Sequence, residues 1–242
     1  MLKYDNVYIY IYIYIMVHIG IIPDGNRRWY RLKNMNIIKF QEFIINKIIS
    51  NINKIKNINK LENLKRISEL SIYICSIDNI ERNDGTKELI FNLIRNLYIK
   101  FPDRSKIFSK NILKIFNNFC KDIKVNIIGD IEILPKDIQD ILNELIIKTK
   151  DGNFVVNIAL VYDYTKDLIN YGKNDNKNYN REQSNIDLLF RSGKEKRISG
   201  FFPTKILYSE LFFSEKLWPD IELTDIDLLV EDFFKRNRRF GK

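Results

Sequence analysis

The chain has 242 residues, 45% of them hydrophobic, which suits one compact domain with a sizeable core. Lys and Arg outnumber Asp and Glu by 40 to 31, a formal charge of +9 with a pI near 9.3, and this favours anionic partners such as diphosphates, anionic membrane surfaces or nucleic acid. Nucleic acid is set aside because no DNA or RNA module accompanies the charge, much of which lies in Asn/Lys-rich stretches at 46–60 and 173–181; the two isolated cysteines, Cys75 and Cys120, argue against a disulfide scaffold or paired-cysteine zinc site.

Residues 7–17 alternate Tyr and Ile almost strictly, the period of a strand, and the apolar pattern continues through Ile19, Ile21 and Ile22. The run is shorter than the roughly 20 residues of a membrane-spanning helix, and His18 interrupts it. It also lacks the charged start and small-residue cleavage site of a signal peptide. The expectation is a biased Tyr/Ile extension over 1–16 and one domain over 17–242, in a protein that is intracellular, cytoplasmic or peripheral to a membrane.

Strand-like runs are expected at 17–22, 70–75, 124–128, 154–160 and 186–190. Helical spacing fills 36–59, 84–101, 105–119, 135–148 and 163–171, and a Thr224-x-x-Asp227 cap signal opens a helix over 224–236. Strands alternating with long helices predict an α/β fold, a central, mostly parallel sheet flanked by helices. The polar stretch 173–181 reads as a mobile loop.

Two strand ends carry the chemistry. His18 to Trp29 is an apolar strand that closes on Asp24, Gly25, Asn26, Arg27, Arg28 and Trp29: a carboxylate for Mg²⁺, a glycine for close backbone approach, and guanidiniums for phosphate. Alone, the segment reads equally well as an Asp-Gly-Asn turn before a solvated helix with a packed indole. A second apolar run from Asp187 likewise closes on Arg191, Ser192 and Gly193, followed by Glu195, Arg197, Ile198 and Ser199. His18 is the only histidine, as compatible with packing as with function.

Taken together, these blocks resemble the cis-prenyltransferases, also called undecaprenyl or dehydrodolichyl diphosphate synthases. His18 to Trp29 is similar to the family's first signature and Asp187 to Asp220 to its last, with Tyr208-Ser209-Glu210-Leu211 and Leu217-Trp218-Pro219-Asp220 inside the latter. Tyr73, Ser76, Asp78-Asn79 and Arg82 resemble its Ser-x-Glu-Asn-Trp-x-Arg segment; 127–130 and 157–159 resemble two structural strand motifs.

The resemblance implies condensation of isopentenyl diphosphate onto an allylic primer, with farnesyl diphosphate expected, giving a polyprenyl diphosphate for glycosyl-carrier lipid synthesis in an apolar prenyl tunnel. It implies Mg²⁺ on Asp24 and Glu210, catalytic roles for Asp24 and Asn79, and an allylic diphosphate cradled by Gly25, Asn26, Arg27, Arg28 and Trp29. Ser76, Asp78 and Arg82 join the substrate contacts, and Arg191, Arg197, Ile198 and Ser199 hold isopentenyl diphosphate. A homodimer is expected, because the chain carries both the Asp-Gly-Asn motif and a basic tail at 236–242. Peripheral membrane contact would arise through the product. The alternative is a weakly active or non-catalytic partner subunit of a two-component enzyme.

The chain departs from the family pattern after Trp29, where Ile37, Ile38, Lys39, Phe40, Gln41 and Glu42 replace a stretch carrying an arginine and a Gly-His pair. Lys39 is the expected substitute for the lost charge. Elsewhere, Asp78 stands for a glutamate, Ile80 for a tryptophan, Gly193-Lys194 for a Gly-Gly pair, and Tyr162-Asp163-Tyr164-Thr165 for a Tyr-Gly-Gly-Arg turn. Ile74, bulkier than the family's small tunnel residue, is expected to shorten the product.

Overall fold

The computed structural model describes residues 15–58, 65–97, 110–173 and 184–239. The expected extension over 1–16 and the loop over 173–181 fall largely outside them. So do the ends of the helices expected at 84–101 and 105–119.

Six strands form one all-parallel sheet: β1 (Ile15–Ile22), β2 (Lys65–Tyr73), β3 (Ile123–Ile128), β4 (Phe154–Ala159), β5 (Leu188–Arg191) and β6 (Glu210–Phe213), in the order β3-β4-β2-β1-β5-β6. The eight α-helices among the described residues are α1 (Asn26–Lys33), α2 (Ile37–Ile58), α3 (Ile77–Glu81), α4 (Thr86–Leu97), α5 (Lys110–Phe119), α6 (Lys136–Thr149), α7 (Tyr164–Lys173) and α8 (Leu223–Lys235). The α/β expectation therefore holds. β6 lies outside the expected strands: unlike β5, whose four residues are all buried, it is a half-exposed edge strand without a continuous buried apolar run.

Strands buried on both faces need apolar residues at successive positions rather than strict alternation. In β1, Val17, Ile19 and Ile21 join a cluster with Ile44, Ile49 and Ile52 of α2 and Ile226, Val230 and Phe233 of α8. Ile22 turns to the opposite face, where it meets Leu189, Tyr162, Phe201 and Phe202. The cap of α8 lies earlier than expected: Glu222 is the N-cap, and Asp225 returns a bond to its amide at 2.8 Å.

The order of the strands positions the site. From β1 the chain moves to β2 on one side, and from β5 it moves to β6 on the other, so the C-terminal ends of β1 and β5 flank a topological switch point. Crevices of this kind are where open α/β sheets bind ligands.

Candidate active site at the ends of β1 and β5

Ile22 is paired with Arg191 across the two strands, so the residues just beyond β1 meet the end of β5 directly. Arg191 donates from Nη2 to Asp24 Oδ2 at 2.8 Å and from Nη1 to Ser199 Oγ at 2.7 Å and the Arg197 carbonyl at 2.5 Å. Its side chain is only 5% exposed, against 32% for Asp24, so the guanidinium is fixed while the carboxylate faces the crevice. Arg28, one turn into α1, lies 3.4 Å from Asp24 Oδ1 and donates to the Gly193 carbonyl at 2.6 Å.

Backbone geometry explains the glycines. Gly25 is the N-cap of α1 at φ +101°, and a Cβ there would stand 2.7 Å from Leu217 Cδ2. Gly193, at φ +91°, passes so close that a Cβ would lie 2.9 Å from Arg28 Nη2 and 3.0 Å from Asp24 Cβ. The Asp24 carbonyl is held from two directions, accepting from Ser192 Oγ and the Trp218 amide, each at 2.9 Å. Asn26 anchors α1 by donating to the Pro23 carbonyl at 2.8 Å, and its buried Oδ1 has no protein donor.

The remaining residues are distributed unevenly. Ser76 and Asn79 form a reciprocal capping box on α3: the Asn79 carboxamide oxygen accepts from the Ser76 amide at 3.1 Å, leaving its NH₂ for other partners. Asp78 and Arg82 are exposed beside it. The Arg197 side chain pairs with Glu195 and turns outward, while its carbonyl supports Arg191. Ser199 adopts φ +49° and accepts from the Tyr73 hydroxyl at 3.3 Å through its carbonyl, which ties the loop after β5 to β2.

Two residues expected to touch substrate are packing residues. The buried Trp29 indole stacks on Phe43 with centroids 5.1 Å apart and donates to Asp220 Oδ1 at 2.7 Å, so it anchors α1 to the core. Ile198 packs against the second apolar cluster. His18 is likewise internal: it is buried and contacts Ser71 Oγ at 2.8 Å and the Ser184 carbonyl at 3.0 Å, and burial holds its pKa below the usual histidine value despite Glu69 and Asp187 nearby. Burial pushes the Cys75 and Cys120 thiols up to about 11, which makes both poor nucleophiles.

Glu210 is not brought to Asp24 within one chain. It begins β6 beside Leu188, while Arg191 at the far end of β5 marks the Asp24 side, three residues or about 10 Å away. Its carboxylate accepts from Arg236 Nη1 at 2.7 Å. As for the expected Mg²⁺, no three His, Cys, Asp or Glu side chains cluster among the described residues to make an all-protein cage. Asp24 does fit a cation held chiefly by phosphate and water. Gly25 and Arg191 occupy two of the roughly four acceptor positions of its carboxylate, and Mg²⁺ is commonly bound through one or two carboxylates plus substrate phosphates.

A second feature adjoins α1. A pocket of about 330 Å³ lies between α1, the start of α2, and the turn and first part of α4, with Arg27, Arg31, Gln41, Asp84, Thr86 and Leu89 among its lining. Arg27 donates to Asp84 and, at 3.1 Å, to Thr86 Oγ. Hydrogen bonds from Thr86, and then Arg27, hold the Asp84 carboxyl at about 2. No sequence motif pointed to Arg31 or Asp84.

Comparison with known proteins agrees with this arrangement. Residues 22–241 match the family model described as "Putative undecaprenyl diphosphate synthase". The chain is 33% identical over 245 residues to the tritrans,polycis-undecaprenyl-diphosphate synthase (geranylgeranyl-diphosphate specific) of Sulfurisphaera tokodaii, covering 93% of this chain and 87% of that protein. It is 30% identical to an isoprenyl transferase of Rickettsia bellii, covering 93% and 97%. Among solved structures it superposes with a TM-score of 0.64 on a probable undecaprenyl diphosphate synthase from Campylobacter jejuni, 26% identical, covering 93% and 98%. It shares its fold with the lavandulyl diphosphate synthase of Lavandula x intermedia, at a TM-score of 0.70 and 20% identity, covering 93% and 98%. The chain belongs to the cis-prenyltransferase family.

Proposed function

We propose that this chain condenses isopentenyl diphosphate onto an allylic prenyl diphosphate, making a polyprenyl diphosphate for glycosyl-carrier lipid synthesis. The observation that carries the reading is the Asp24–Arg191 pair at the switch point, a carboxylate facing the crevice beside one fixed guanidinium, with Arg28 3.4 Å away. Diphosphates bring several negative charges, and more develops on the leaving group as the allylic C–O bond breaks. Preorganised guanidiniums stabilise that charge with little reorganisation. Arg28 takes up the allylic diphosphate with the α1 amides after Gly25; Arg191, held by Ser199 and the Arg197 carbonyl, fixes isopentenyl diphosphate so that its C4 faces the allylic C1. Mg²⁺ on Asp24 would supply further charge neutralisation on the diphosphate. Asn79 positions substrate through its NH₂, because its carbonyl oxygen is committed to the cap, and an amide is a poor base.

Farnesyl diphosphate is the proposed primer; geranylgeranyl diphosphate, named for the Sulfurisphaera tokodaii relative, is the comparison. The prenyl chain would grow along the apolar space where Ile74 lies between two apolar clusters, its bulk keeping the product short. A second copy is proposed against β6, an edge strand flanked by exposed Leu207, Tyr208, Leu211 and Phe213, where a partner would also approach Glu210. Among the described residues no helix is long and apolar enough to cross a membrane, and any membrane contact is proposed to be peripheral, through the product.

A second reading, a non-catalytic partner subunit, draws on the arginine and histidine absent from the stretch 37–42. Incubating the purified chain with Mg²⁺, labelled isopentenyl diphosphate and either primer decides between them. Butanol-extractable polyprenyl diphosphate supports the enzyme, and products of ten or more isoprene units contradict the role given to Ile74. Absence of product with both primers, followed by activation of a second prenyltransferase chain, establishes the partner role.

A further inference from the structure

The chain lacks the arginine and histidine that its family pattern places on the second helix, and the structure shows what stands near the vacated positions. Gln41 is buried and committed, accepting from Asn96 Nδ2 at 3.2 Å. Lys39, the expected substitute, is exposed and lies outside the pocket lining. Arg31 enters the pocket instead, from α1 rather than α2, one turn after Arg27 and on the same helix face. Arg28 and Arg191 are engaged by the protein, whereas Arg31 makes no hydrogen bond or ion pair among the described residues.

The pocket has two kinds of wall. Arg27, Arg31 and Thr86 offer donors, while Ile37, Leu89 and the Tyr30 ring are apolar. That combination suits a ligand with an anionic head and a hydrocarbon tail. Asp84 and Glu88 face the same space, so two carboxylates balance two guanidiniums in the empty pocket. Asp84 engages Arg27 as a phosphate oxygen would.

Resting on the prenyltransferase reading above, we propose that Arg31 is a substrate-binding residue of this chain, taking the allylic diphosphate together with Arg27, and that Asp84 holds Arg27 until the diphosphate displaces it. Arg31 thereby supplies from α1 a charge missing over 37–42. Arg191 does not line this pocket, so the assignment leaves isopentenyl diphosphate on a separate set of residues.

The test uses full-length protein, Mg²⁺ and both substrates, with calorimetric binding of a non-reacting allylic thiodiphosphate as a readout independent of turnover. Arg31→Gln raises KM for the allylic diphosphate and weakens thiodiphosphate binding about tenfold, the loss of one charge-assisted contact, while KM for isopentenyl diphosphate moves by less than about twofold. Adding Ile37→Arg to Arg31→Gln restores binding, and Asp84→Asn alone tightens it. Unchanged binding in Arg31→Gln, an equal rise in both KM values, or weaker binding in Asp84→Asn overturns the proposal. A wild-type chain that neither binds the thiodiphosphate nor makes product overturns the underlying function as well; a wild type that binds, with an Arg31→Gln that binds equally, overturns only Arg31.

Discussion

Two arginine–aspartate pairs adjoin the start of α1, and they are built differently. Arg191 is 5% exposed, bonded to Asp24, Ser199 and a main-chain carbonyl, and planted at the end of a central strand. Arg27 is 41% exposed and meets an Asp84 that is 33% exposed in the turn before α4. The contrast teaches that one pair is scaffold and the other is exchangeable. A buried guanidinium with three acceptors is costly to move, whereas an exposed ion pair is worth roughly 0–1 kcal/mol and is cheaply exchanged.

The largest expected effect breaks the first pair. Arg191→Met leaves the Asp24 carboxylate and the Ser199 hydroxyl without their shared donor and costs about 3 kcal/mol in urea unfolding, whereas Arg27→Met costs less than about 1 kcal/mol. Equal losses for the two would erase the distinction. Gly193→Ala comes next, at about 2 kcal/mol, since its Cβ would meet Arg28 Nη2 and Asp24 in a left-handed backbone; activity falls along with the melting temperature.

A pH effect on the scaffold follows from His18. Burial depresses its pKa in the folded chain, so below the unfolded value of about 6.5 the unfolded state binds a proton that the folded state refuses. Stability from this site is therefore complete above about pH 6.5 and declines as pH falls toward the lowered folded pKa. Glu69 and Asp187 moderate the decline. His18→Gln flattens the melting-temperature profile between about pH 7 and 5, and an unchanged slope contradicts this account. The smallest effect is a gain: Lys194 is exposed at φ +73°, and Lys194→Gly raises stability by about 1 kcal/mol.

The scaffold was readable in the sequence to an unusual depth because it sits where patterns are sharpest. β1 and β5 are apolar runs with abrupt polar ends, so Asp24 and Arg191 announce themselves, and parallel strand order then forces them together. Some short elements escaped: α3 has five residues, and β6, no shorter than β5, is a half-exposed edge strand where β5 is buried throughout. Trp29 joins the substrate contacts only through the family resemblance; its stacking on Phe43 and bond to Asp220 match the packed indole that the sequence also allows. Arg31 and Asp84 had no local signature. Their significance comes from a pocket in which α4 and the turn before it meet α1 and α2, some fifty residues earlier in the chain. The partition of Glu210 from Asp24 was equally hidden, being a matter of which end of a strand each residue occupies.

Asp24, held by the fixed Arg191 guanidinium, is the proposed centre of prenyl diphosphate chemistry. Steady-state incorporation of labelled isopentenyl diphosphate by Asp24→Asn, an isosteric change beside an intact Arg191, tests it most directly. The account predicts a fall in turnover of about 100-fold or more with the melting temperature nearly preserved. Turnover equal to that of the wild type would contradict it.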